Sequence, residues 1–94
     1  MFERDLFLGM RGVYYIWHGE WADPEIEYYG NLYNYWEVVD AMIDVQRDYF
    51  NQLNIVSEFS RTADDEQIWD FITNLNYRTK LMIFKEAIYS IQGY

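Results

Sequence analysis

Apolar and polar residues alternate with two different periods along this chain, and the change comes near residue 34. Residues 13–17, Val13-Tyr14-Tyr15-Ile16-Trp17, are β-branched or aromatic throughout and predict a strand. Ala22-Asp23-Pro24-Glu25 predicts a bend, because Pro24 presets the backbone for one. In the next segment Glu25, Glu27 and Tyr29 alternate with Ile26 and Tyr28, the two-residue period of a half-buried strand. Gly30-Asn31 predicts a tight turn and Leu32-Tyr33 a short third strand.

From Tyr35 to Leu53 the spacing is helical. Asn34 suits the N-cap, with Glu37 at the reciprocal position of a capping box. Trp36, Val39, Ile43, Phe50 and Leu53 form one apolar stripe broken by Gln46, and Val38, Met42, Val45 and Tyr49 widen it. Residues 54–61 read as a connection. Ser60 or Thr62 is then expected to cap a second helix whose inward stripe is Ile68, Phe71, Ile72 and Leu75. A break near Asn76 leads into a third helix with Tyr77, Leu81, Phe84, Ile88 and Ile91 inward, stopped by Gly93. At the N-terminus Phe2, Leu6, Phe7 and Met10 fit a short helix ended by Gly9 and Gly12. The expected fold is one α+β domain. An antiparallel meander of two or three strands (about 13–33) packs on three helices (about 35–53, 63–75 and 77–92), with an almost all-α arrangement as the alternative.

Composition narrows the chemistry. With 51% hydrophobic and 21% aromatic residues, 94 residues can bury a core. The chain has no cysteine, which excludes disulfides, thiol catalysis and cysteine-ligated metals. No stretch resembles a signal peptide or an apolar membrane span, so a soluble cytoplasmic protein is expected. The one histidine, His18, would need an orienting carboxylate, for which Glu20 and Asp23 are the nearest candidates, and a nucleophile that no serine motif supplies. Asp64-Asp65-Glu66 lacks the spacing of a calcium loop and suits a helix N-terminus. No phosphate-cradling glycine loop is present. The expectation is a protein that is not an enzyme and needs no cofactor.

Charge changes the picture most. Sixteen acidic residues oppose seven basic ones, for a net charge of −9. All but one of the acids precede residue 71, whereas Arg78, Lys80 and Lys85 leave the last helix mildly basic. Glu37, Asp40, Asp44 and Asp48 recur at helical spacing, a row of carboxylates roughly 16 Å long at ~1.5 Å rise per residue. Only Arg47 interrupts it, and Glu20, Asp23, Glu25 and Glu27 of the meander can extend it. Such a surface repels nucleic acid and anionic lipid and attracts basic protein surfaces. It is either an ordinary solvated face or an imitation of a row of phosphates that occupies the groove of a nucleic-acid-binding protein. Trp21, Tyr29, Tyr33 and Tyr35 are candidates for an aromatic interface beside it, with a homodimer as the alternative partner.

The residues Asp23-Pro24, Tyr29-Gly30 and Tyr33-Asn34-Tyr35-Trp36-Glu37-Val38-Val39-Asp40-Ala41 resemble a segment of short acidic uncharacterised proteins of Gram-positive phages, plasmids and transposons. The likeness covers about a fifth of the chain and carries packing and capping residues rather than catalytic ones. It implies a mobile-element origin. Small acidic products of such elements are often inhibitors of host defence, of the anti-restriction or anti-CRISPR type.

Overall fold

The computed structural model describes residues 12–52 and 62–93. The N-terminal helix expected over residues 2–10, Leu53, Ser60 and the connection over 54–61 lie outside the described residues. Three strands, β1 (Val13–Ile16), β2 (Glu25–Tyr28) and β3 (Asn31–Asn34), precede three helices, α1 (Tyr35–Gln52), α2 (Asp65–Thr73) and α3 (Tyr77–Gln92). The strands form one antiparallel sheet in the order β1-β2-β3, so the fold is α+β.

Register explains the two faces of the sheet. Tyr15 pairs with Ile26 and Ile26 with Tyr33, so these three residues form one row that points one way. Val13, Ile26 and Tyr33 are buried there, and Tyr15 and Tyr28 pack against the same core. The next rows, Tyr14-Glu27-Leu32 and Ile16-Glu25-Asn34, stand on the opposite side, away from the helices. Pairing of Tyr28 with Asn31 makes the turn Tyr29-Gly30 rather than Gly30-Asn31. Both turn residues have positive φ, 47° and 86°, as the primed turns of two-residue hairpins require. Trp17 and Tyr29, which the apolar pattern includes in the first two strands, thus lie just beyond the observed ends of β1 and β2.

Helix α1 starts directly from β3. Asn34 Oδ1 accepts the Glu37 backbone N–H at 3.1 Å, and the Tyr35 N–H donates to the Pro24 carbonyl at 3.0 Å, which ties the 22–24 bend to the helix start. The buried stripe is Tyr35, Val38, Val39, Met42, Ile43, Gln46 and Phe50. Trp36 is not part of it: the stripe begins at Tyr35, one position earlier, and the Trp36 ring is 47% exposed, edge-on to Tyr35.

The cap of α2 is Asp64, not Ser60 or Thr62. Its carboxylate accepts the Gln67 N–H at 2.9 Å and Gln67 Oε1 accepts the Asp64 N–H at 3.0 Å, a complete capping box. Trp69 is buried in place of Phe71, whose ring lies against Phe50 at the surface. Asn76 caps α3 by accepting the Thr79 N–H at 2.9 Å, and Gly93 ends it with φ 84°. In α3 the buried set is Ile83, Phe84, Ala87 and Ile88, while Tyr77 is exposed.

Helix α3 runs antiparallel to α1: Ala41 and Asp44 lie near Tyr89 and Ser90, whereas Tyr49 meets Glu86. The sheet closes over this pair. Tyr28 meets Phe84 edge-on at 5.1 Å and Tyr15 meets Tyr35 at 5.5 Å. Phe84, fully buried where sheet and helices join, is the keystone of the packing, and removing a core ring of this kind typically costs ~3–5 kcal/mol.

Candidate protein-binding surface

Burial of the Val38–Met42 side of α1 turns the opposite side to solvent, and Glu37, Asp40, Asp44 and Asp48 are all exposed on it. Arg47, the cation that interrupts this row in sequence, points elsewhere. Its Nη2 donates to the Ala63 carbonyl and to Asp65 Oδ1, both at 3.0 Å, and so bridges α1 to the start of α2. None of the four carboxylates takes part in an ion pair seen among the described residues.

The meander acids behave differently. Asp23 Oδ2 accepts Asn34 Nδ2 at 3.1 Å, which holds it at the N-terminal end of α1 and beside the row. Glu25 Oε1 lies 2.6 Å from His18 Nε2, so the histidine's partner is Glu25 rather than Glu20 or Asp23. Glu25 and Glu27 are half-buried on the outer sheet face, and Glu20 is exposed in the β1–β2 connection. The structure therefore gathers Glu37, Asp40, Asp44 and Asp48, with Asp23 at their head, and leaves Glu25 and Glu27 on another surface.

A further carboxylate joins the row from α3. Asp44, Asp48 and Glu86 line an open trough of about 400 Å³ between α1 and α3, together with Ala41, Val45, Tyr89 and Ser90. The Tyr49 hydroxyl donates to Glu86 and fixes it there. Burial, and then that hydrogen bond and the Glu86 charge, push the Tyr49 phenol up to about 12. Sequence reasoning grouped Glu86 with the basic end of the chain. The available signal was its place on α3, three residues after Ile83 and two after Phe84, at the rim of the buried stripe. Among the described residues no three His, Cys, Asp or Glu side chains are arranged to hold a metal ion. The trough thus presents separate negative charges suited to several Lys or Arg side chains.

The aromatic surface differs from the one expected. Trp21 is 97% exposed and Tyr29 67%, but Tyr33 and Tyr35 are core residues at 9% and 2%. Tyr33 faces inward because it pairs with Ile26, and its hydroxyl accepts Gln92 Nε2 at 2.5 Å. Tyr35 opens the buried stripe of α1. Besides Trp21 and Tyr29, exposed apolar groups include Tyr14 and Leu32 on the outer sheet face, with Trp17 and Trp36. No helix among the described residues is long and apolar enough to cross a membrane. No protein-family model, curated protein or solved structure matches the chain.

Proposed function

We propose that this is a non-enzymatic acidic binding protein whose α1–α3 face engages a basic surface of a nucleic-acid-binding protein. The observation that carries the reading is the row Glu37, Asp40, Asp44 and Asp48, exposed on one helix while that helix's own cation, Arg47, is committed to Asp65 and the Ala63 carbonyl. Like charges at this spacing cost a helix a few tenths of a kcal/mol per pair, roughly 0.2–0.5. An arrangement kept for stability alone would place a cation among them. The row spans roughly 16 Å, and duplex DNA carries a phosphate every ~3.4 Å per strand, so the face matches a nucleic acid in sign and rough density rather than in register. The resemblance of residues 23–41 to mobile-element proteins directs the proposal to a host defence protein of the restriction or CRISPR kind. The test is capture of a basic partner from bacterial lysate, followed by release with duplex DNA. A partner that DNA does not displace overturns mimicry.

A second reading has its own observation. Tyr14, Leu32, Trp17 and Trp21 expose apolar surface on and beside the outer sheet face, which suits self-association. It predicts a concentration-dependent dimer whose affinity is almost independent of salt, whereas the acidic face predicts binding that weakens steeply with ionic strength.

A further inference from the structure

Beside the acidic trough, on the far side of Tyr89, lies a depression of different character. The β2–β3 turn and the last two turns of α3 form a cleft of about 320 Å³, near the lower end of the roughly 300–1,000 Å³ typical of small-molecule sites. Tyr28, Tyr29 and Tyr89 wall it with Ile88, and Lys85 and Asn31 stand at its polar positions. In a chain of net charge −9, no carboxylate lines this cleft among the described residues. Among the described residues Lys85 is the one formal charge on its walls, and it takes part in neither ion pair seen there.

The backbone at Tyr29 bears a cost that packing does not explain. Tyr29 is the one non-glycine with positive φ among the described residues, at a turn position where Asn, Asp or Gly is favoured. A bulky residue held there costs about 1–3 kcal/mol. Gly12 makes room for it: a Cβ on Gly12 would approach the Tyr29 ring to 2.6 Å, and the Tyr29 N–H donates to the Gly12 carbonyl at 3.3 Å. Yet the ring remains 67% exposed, so its burial does not offset the strain. What the arrangement achieves is a tyrosine ring fixed at the mouth of the cleft, edge-on to Tyr28 at 4.8 Å. Burial, and then the neighbouring phenols Tyr29, Tyr89 and Tyr33, raise the Tyr28 pKa, so this hydroxyl keeps its proton and remains a donor.

We infer that this cleft binds a planar ring bearing a carboxylate, the anion bonded by Lys85 and the ring held against Tyr29 and Tyr89. An ammonium with phenolic donors favours an anionic acceptor, and aromatic walls with Ile88 favour an apolar ring. The source is either a small aromatic acid or a peptide ending in an aromatic residue with a free carboxylate. The site is independent of the α1 row.

Titration of the 15N-labelled protein at about 0.15 M salt, where the trough's field is screened beyond ~8 Å, tests it. The probes are phenylacetate, phenylacetamide, acetate and N-acetyl-Gly-Phe. Saturable shifts at Tyr29, Lys85 and Tyr89 are expected with phenylacetate, with the amide and acetate weaker by about tenfold or more. Tighter binding of the peptide than of phenylacetate assigns the source to a chain terminus, and the reverse to a small acid. Lys85→Gln, a change at an exposed position, should weaken phenylacetate about tenfold and leave phenylacetamide unchanged, while Tyr89→Ala weakens both. The inference is overturned if no carboxylate probe saturates by about 10 mM, if amide and acid bind equally, or if Lys85→Gln leaves phenylacetate binding intact.

Discussion

The α1 face and the outer face of the sheet both carry acids, yet only the α1 face gathers them into an exposed row. On α1, carboxylates one turn apart stand in solvent, and the flanking arginine is drawn off to Asp65. On the sheet, Glu25 is occupied by His18 and Glu27 lies between the cross-strand neighbours Tyr14 and Leu32. A helix whose other side is buried leaves its polar side chains unpartnered at fixed spacing. A strand pairs each of its side chains with neighbours on both sides. Four acids on the helix therefore produce a charged surface, while two on the sheet sit in a mixed, aromatic one.

The contrast can be broken at its shared support. Phe84→Ala removes the ring on which Tyr28 rests and should lower unfolding free energy by about 3–5 kcal/mol in a urea melt, a large fraction of the ~5–15 kcal/mol of an ordinary domain. Loss of less than 1 kcal/mol would mean that sheet and helices do not depend on each other.

The next effect separates the two faces. The triple change Asp40→Asn, Asp44→Asn and Asp48→Asn removes three exposed charges. At up to ~1 kcal/mol each, affinity for a basic partner should fall roughly 100-fold. Thermal stability should stay level or rise slightly, since like-charge neighbours are relieved. A destabilised variant would show that the row serves the fold.

Tyr49→Phe sharpens the trough. The folded protein holds the Tyr49 proton more tightly than the unfolded chain, with the phenol raised from 10.0 to about 12. This contribution is complete below pH 10 and is lost as pH rises through about 12, so the wild-type stability should fall across that window. The Phe variant should lack that part of the slope and lose about 1 kcal/mol at neutral pH with the hydrogen bond to Glu86. Identical alkaline slopes for the two proteins would show that Glu86 is not held by Tyr49.

The smallest effect on stability belongs to Trp21→Ser. At 97% exposure this ring contributes little, and the melting curve should move by less than about 0.5 kcal/mol. Sedimentation of the same variant tests self-association: a dimer lost on this change would move the interface to the aromatic face.

Much of the architecture was legible because the two hydrophobic periods are clean. Ile26 and Tyr28 declared β2, and the Val38–Met42–Ile43 spacing declared α1, close to its observed ends. The acidic row was legible for the same reason. The misplacements come from single-residue phase. Tyr35 and Trp36 are both aromatic, and which one starts the stripe is set by the Asn34 cap and the Pro24 contact, neither visible in periodicity. Tyr33 was assigned outward because an aromatic residue in a short strand has no phase until its partner, Ile26, is known. Asp64 was read as a first-turn charge when Gln67, three residues on, marks it as the cap. Glu86 could not be placed beside Asp44 and Asp48 without the antiparallel packing of α3 on α1, which is long-range information.

The unpaired carboxylate row as a docking face is tested most directly by parallel capture. The protein and its Asp40, Asp44 and Asp48 to Asn variant are immobilised, offered the same bacterial lysate at about 50 mM salt, and eluted with duplex DNA and then with about 500 mM salt. Retention of a basic nucleic-acid-binding protein by the wild type alone, released by the duplex DNA, is the predicted result. Equal retention by the variant, or a bound protein that the DNA leaves in place, would contradict it.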